Sequence, residues 1–384
     1  MTRANRDAMR ITAFLLLAVL AGSPAPAGPA RARNVVLFVA DAGGIATLNA
    51  ASTYGHGEAR RLFVQQMPHI GLSDTSAAEQ LVTDSAAGMT AIATGHRTHN
   101  GVISQSADAV RGTRDGQPLK TILEYAEERG LATGIVTVDS LAGATPAALY
   151  AHANERNRTG AIVLQLFEPR FGDGVDVAIG AGRAEILSAV AALGRDLDVV
   201  AQQAQRTVLA RLEDVPARAR RAIVVHDGEL DLGAAVTVAR RLLARGPRGY
   251  FLMVESDVHT DRVRPGLERM VTFDRVIRQT AAAVGPDTLV LFTADHSFDL
   301  RVHDGQRGRP LLEGLDPMQA EQSQASVRSA NLRMDNAHTA EEVLVAAQGP
   351  GAHRVRGYLA NTDLFSIMMR AYGWPVPGRA PSPR

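Results

Sequence analysis

The chain has 384 residues, 46% hydrophobic and 21% charged, enough apolar side chain to bury the core of one large domain. Its formal net charge is +1 and its arginines are scattered, which argues against nucleic acid as a partner. It has no cysteine, so disulfides and thiolate-held zinc are both excluded, and any metal site must be built from His, Asp, Glu and hydroxyls.

The N-terminus reads as an export signal. MTRANRDAMR is basic, ITAFLLLAVLAG is a short apolar run, and SPAPAGPARA follows with small residues at peptidase spacing. The apolar run is shorter than the roughly 20 residues of a membrane span. Residues 1–32 are therefore expected to be a signal peptide, cut after Ala27 or Ala32, with no stable membrane span in the mature chain. The expected destination is periplasmic or extracellular.

Past that point, apolar runs alternate with helical patterns. RNVVLFVAD (33–41) is a buried-strand pattern ending on a carboxylate. TILEYAEERG (121–130) is an amphipathic helix stopped by Gly130. Strand patterns follow at LATGIVTVDS (131–140), VDVAIGAG (175–182), RAIVVHD (221–227), GYFLMVESD (249–257) and TLVLFTADH (288–296). Near-continuous Val/Ile/Leu runs point to a mostly parallel sheet with helices on both faces, a three-layer α/β sandwich. Residues 184–220 read as a helical layer, and 302–330 as a polar excursion. The expected organisation is one catalytic domain over 33–372 and a flexible tail over 373–384.

Ligands of open α/β sheets sit at the carboxyl ends of strands. Asp41, Asp295 and His296 end strands here. Glu255, Asp257, His259 and Asp261 crowd the end of another, and His338 comes later in DNAHTAEEV. Oxygen and imidazole donors without sulfur suit zinc, manganese or magnesium, and can build two adjacent metal positions. Two such ions serve a phosphoryl displacement. A serine at a helix start, as in LVTDSAAGMTAIATGHRT (81–98), could then attack phosphorus with the helix dipole behind it. Taken singly, Ser85 reads as a helix cap and His296 as a packed histidine; their joint occurrence carries the argument.

At these residues the chain resembles the alkaline phosphatase family. The resemblance rests on Thr83-Asp84-Ser85-Ala86-Ala87, Gly95-His96-Arg97-Thr98, Asp41-Ala42-Gly43-Gly44, ATPAALYAHANER, DVAIGAGR, TADHS, and HTAEEV with NTDLF, in that family's motifs. It implies an alkaline-phosphatase-like fold and a phosphatase acting on small-molecule phosphate monoesters. Ser85 would be the nucleophile, Arg156 a bidentate clamp on phosphate, and Asp84 the residue orienting that arginine. Asp41, Asp295 and His296 would hold one zinc beside Ser85. His338 would hold a second, with a histidine and a carboxylate from 255–261. Thr145 would belong to a third, magnesium position. Homodimers are common in the family.

The chain also departs from the pattern. Its metal segment, ESDVHTD, is shorter than the family's. Aligned from one side, Glu255 takes the place of the zinc aspartate; aligned from the other, it takes the magnesium glutamate and leaves Asp257 and His259, or Asp261, for zinc. Gly143 stands where the third site usually has a side-chain ligand, which puts the magnesium site in doubt. Two other readings stay open: a phosphodiesterase of the same superfamily, and a non-catalytic phosphate- or metal-binding protein.

Overall fold

The computed structural model describes residues 31–378. The signal-peptide segment, apart from its last two residues, and the end of the tail lie outside them.

The strands run in chain order as β1 (Asn34–Asp41), β2 (His69–Ser73), β3 (Ala132–Ser140), β4 (Val177–Ala181), β5 (Val208–Leu209), β6 (Ala222–Val225) and β7 (Tyr250–Asp257). They continue as β8 (Thr288–Thr293), β9 (Ser297–Val302), β10 (Ser326–Arg328), β11 (Leu332–Thr339), β12 (Val343–Gln348) and β13 (Gly357–Leu359). Ten form one sheet in the order β13-β2-β12-β8-β1-β7-β3-β4-β6-β5. All its pairings are parallel except those of β12, which runs antiparallel to both β2 and β8. The fold is the expected three-layer α/β sandwich.

Strand β1 shows why. Its side chains alternate between two buried cores. Val35, Leu37 and Val39 face the helices Ser85–Thr94, Ile122–Glu128, Ala144–Tyr150 and Asp363–Ala371. Val36, Phe38 and Ala40 face Ile45–His56, Leu232–Leu243 and Val263–Ala283. The Phe38 ring meets Phe273 edge-on at 5.8 Å. Each such fully buried side chain contributes about 1.5–3 kcal/mol.

The helix expected at 121–130 forms over Ile122–Glu128. Thr121 and Glu124 close a capping box at its start, and Gly130 takes the left-handed conformation just past its end. The stretch 184–220 is helical only in part. Arg183–Ala191 and Leu197–Gln203 are helices, but Val208–Leu209 joins the sheet as its edge strand. The Ala/Arg composition hid that two-residue strand. The polar excursion at 302–330 holds more order than expected. It carries the helix Pro317–Glu321, and β10 joins β11 and β9 in a small antiparallel sheet. Trp374, within the stretch assigned above to the tail, stacks on Tyr372 at 4.1 Å.

Parallel register puts the ends of β1, β7 and β8 at one edge. Asp41 lies opposite Asp257, and Val39 opposite both Glu255 and Thr293. Asp295 and His296 follow directly, before β9 begins.

Candidate active site and metal centre

Ser85 opens the helix Ser85–Thr94, all of whose residues are buried. The residue that caps it is Asp84, whose Oδ1 accepts from Ala87 N at 3.0 Å. Asp84 Oδ2 accepts from Gly101 N at 2.9 Å and from Arg156 Nη1 at 3.0 Å. One carboxylate thus sets the helix start, the following loop and the guanidinium. Gly88 lets this helix approach the sheet edge: a Cβ there would stand 2.5 Å from the Asp295 carbonyl oxygen.

The Ser85 hydroxyl lies 3.2 Å from Asp41 Oδ2 and 3.2 Å from His296 Nε2. Thr145 Oγ1 lies 3.3 Å from Asp41 Oδ2 and 3.4 Å from Asp295 Oδ2. Asp41, Asp295 and His296 offer ligand atoms within 4.8 Å of one another, and so do His259, His296 and His338. The His296 and His338 rings stack at 3.9 Å. His338 reaches this edge from β11, where the register shifts between Met334 and His338; that irregularity re-aims the strand.

The electrostatics are lopsided. Glu255 and Asp295 are each 1% exposed. Burial, and next the carboxylate of Asp41, push both their carboxyls well above the usual range. Asp41 Oδ1 and Glu255 Oε2 are buried without a hydrogen-bond partner. Burial lowers His296, and burial followed by His296 itself lowers His338 to about 4, so both imidazoles are neutral near pH 7 and can act as ligands. Buried carboxylates with orphaned oxygens beside the neutral imidazoles of His296 and His338 form a donor set that a cation would satisfy. The residues fit a divalent metal.

The 255–261 segment divides. Glu255 lies within β7. His259 joins the histidine cluster. Asp257 falls in neither ligand group; its Oδ1 lies 2.8 Å from His259 Nδ1. Burial opposes the charge on His259, but the bond to Asp257 and the charges of Asp41, Asp257 and Asp295 outweigh it and raise its pKa to about 9. Asp261 contributes its backbone carbonyl to Gln324 N, and its carboxylate is in neither group. Gly143 is the N-cap of Ala144–Tyr150 and brings no side chain to the edge.

A model of the family described as "Alkaline phosphatase" matches residues 32–192 and 226–330, well over half of the chain. The chain belongs to the alkaline phosphatase family. Among curated relatives, a streptomycin-6-phosphate phosphatase of Streptomyces griseus is 33% identical over 90% of this chain and 92% of its own. The alkaline phosphatase of Escherichia coli K12 is 27% identical over 89% of this chain and 86% of its own. The alkaline phosphatase of the Antarctic bacterium TAB5 superposes with a TM-score of 0.74 at 24% identity, covering 90% of this chain and 99% of that one. That likeness speaks for the fold. The chain is an alkaline-phosphatase-like hydrolase.

Two motif blocks prove to be joints. Arg97 of the Gly95–Thr98 block donates through Nε to Asn361 at 3.2 Å and through Nη2 to Asp74 at 2.6 Å. Asn361 in turn ties to the Ser76 carbonyl. Two supporting residues escaped sequence reasoning. Asn100 Oδ1 accepts from Asp84 N at 3.1 Å, and Arg269 holds Asp257. Asn100 was within reach, because it stands two residues after the Thr98 block. Arg269 gave no signal, because its partner is twelve residues away and near only in space.

Proposed function

We propose that this chain is an exported, metal-dependent phosphatase that hydrolyses phosphate monoesters through a phosphoserine intermediate at Ser85. The observation that carries the reading is the Ser85 hydroxyl. It lies at a buried helix start, 3.2 Å from both Asp41 and His296, next in sequence to the carboxylate that holds Arg156. A helix cap needs no such company, and a binding protein needs no such hydroxyl.

Arg156 engages Asp84 through Nη1, and the rest of its fork takes phosphate oxygens. The dipole of the Ser85–Thr94 helix favours the same anion. Ser85 Oγ gives up its proton to water and attacks phosphorus; a new P–O bond forms as the ester P–O bond breaks, and the departing alkoxide takes up a proton from water. Water then attacks phosphorus; the Ser85 Oγ–P bond breaks, Oγ regains a proton, and inorganic phosphate leaves. Asp41, Asp295 and His296 would hold one zinc-like ion, and His259 and His338 a second. A magnesium position would rest on Asp41, Thr145 and Glu255 without help from Gly143. Bound ions supply a lowered pKa at the Ser85 hydroxyl and charge to balance the phosphate.

Monoester preference is supported by the Ser85 motif and by the named activity of the 33% relative, whose substrate is a phosphate monoester. Export rests on the N-terminal sequence. Ala32 packs in the core and its N–H donates to the Ala371 carbonyl at 2.8 Å, which favours the cut after Ala27. Among the described residues no helix is long and apolar enough to cross a membrane.

The test is hydrolysis of p-nitrophenyl phosphate beside bis-p-nitrophenyl phosphate by metal-stripped protein, titrated with zinc and magnesium. Metal-restored turnover of the monoester, with a labelled phosphoprotein trapped by acid quench and absent in Ser85→Ala, is expected. Faster turnover of the diester would replace this reading with a phosphodiesterase, and inactivity on both would leave a binding protein. N-terminal sequencing of the processed protein should begin at Gly28.

A further inference from the structure

We propose that Asp257 and Arg269 form a clamp that orients His259, and that Asp257 is a positioning residue rather than a metal ligand. The proposal rests on the metal-dependent reading above and concerns the segment where this chain departs from its family.

The geometry begins with a short connection. Strand β7 ends at Asp257 and the helix Val263–Ala283 begins soon after, so the chain must turn at once. Asp257 Oδ1 accepts from the His259 backbone N–H at 3.0 Å and pairs with the His259 ring at Nδ1, 2.8 Å away. One oxygen therefore fixes both the backbone and the ring of the same residue. The other oxygen, Oδ2, lies 3.4 Å from Arg269 Nη2. Arg269 also donates through Nε to the Asp257 carbonyl and through Nη2 to the His259 carbonyl at 3.3 Å. The helix bearing Arg269 passes close beneath. A Cβ at Gly266 would stand 2.2 Å from the His259 carbonyl oxygen, so glycine is what lets the loop seat.

This accounts for both carboxylate oxygens of Asp257. It also sets the chemistry of His259. An imidazole that donates from Nδ1 to a carboxylate carries its lone pair on Nε2, and the partner fixes the ring and raises its basicity as a ligand. His259 shares a ligand group with His296 and His338, while Asp257 shares none. A loop too short to present a carboxylate and a histidine from separate positions uses the carboxylate to aim the histidine.

The test is cobalt titration of the metal-stripped full chain, followed by calorimetry and by the visible absorption of bound cobalt. His259→Ala should bind one equivalent fewer than wild type. Asp257→Asn should keep the wild-type number of equivalents and the wild-type band shape at saturation, because the amide oxygen still accepts from Nδ1–H. One binding step should weaken about 10- to 100-fold. Arg269→Met should weaken the same step, and Arg269→Lys should recover part of the loss. The step left untouched serves as the internal check on folding. An Asp257→Asn protein that lacks a whole equivalent, as His259→Ala does, would make Asp257 a ligand and overturn the proposal. An Arg269→Met protein that titrates like wild type would remove the clamp. A wild-type protein that binds no cobalt would instead overturn the metal-dependent reading itself.

Discussion

The two edges of the large sheet both bury charge, and they treat it in opposite ways. At the amino ends of β3, β4 and β6, Glu127 hydrogen-bonds Thr133 Oγ1 at 3.1 Å and accepts from Gly174 N at 3.2 Å. Asp176 accepts from Thr133 N and pairs with Arg221 at 2.8 Å. Arg206 is spent on the carbonyls of Asp173, Gly174 and Val175. There every buried carboxylate oxygen has a hydrogen-bond or ion-pair partner within the described residues. At the carboxyl ends of β1, β7 and β8, Asp41 Oδ1 and Glu255 Oε2 are buried without a hydrogen-bond donor. Buried charge is thus poor evidence for a site. Buried carboxylate oxygens left without a hydrogen-bond donor are better evidence, because burying them uncompensated is costly and a bound cation would complete them.

The largest effect that would sharpen this contrast is at the nucleophile. Ser85→Ala should lower turnover at least about 10³-fold while zinc content stays at the wild-type level. Turnover within tenfold of wild type would remove Ser85 from the chemistry.

Next is metal itself. Saturating zinc should stabilise the stripped protein by about 4 kcal/mol when present at a thousandfold excess over its dissociation constant. Asp41→Asn should remove most of that thermal shift. Asp176→Asn, at the opposite edge, should lower the starting melting temperature and leave the zinc-induced shift intact. Equal loss of the shift in both variants would erase the distinction between the edges.

Glu127 tests the satisfied edge by pH. Burial, and next the charge of Asp173, raise its carboxyl from 4.5 to about 8. The folded protein therefore keeps a proton that the unfolded chain releases above 4.5. Its stabilising contribution is full below that value and is lost as pH rises through about 8. Glu127→Gln should melt like wild type near pH 4 and be the more stable, on the order of a few kcal/mol, near pH 9. A difference that shrinks with rising pH would mean that Glu127 is ionised in the folded state.

The smallest contrast lies inside the metal segment. His259→Ala should lose about 10²-fold in activity, and Asp261→Ala should stay near wild type. The reverse order would move the metal to Asp261 and undo the division of that loop.

The site was more legible than the scaffold around it. Asp41, Asp295 and His296 are strand-terminal residues, and the pattern of buried β1 and β8 points directly at them. Ser85 was legible as a helix start but not as an uncapped one, since Asp84 takes the capping role and leaves the hydroxyl to the site. Strands β5, β10 and β13 were not legible, being two or three residues long with no period to read.

Alternating apolar runs by themselves determined a parallel α/β sheet, because only a strand covered on both faces needs such continuous Val, Ile and Leu. Seven motif blocks in order, from Asp41 to NTDLF, carried the resemblance to the alkaline phosphatase family that the comparisons bear out. What tertiary structure alone decided is the division of labour within Glu255–Asp261. Sequence offers three carboxylates there as equals. In space Glu255 is buried on β7 with its Oε2 left without a hydrogen-bond partner, Asp257 is taken by His259 and Arg269, and Asp261 gives its backbone carbonyl to Gln324. Which carboxylates of this loop stay open depends on what neighbouring elements have engaged, and Arg269 and Gln324 come near it only in space.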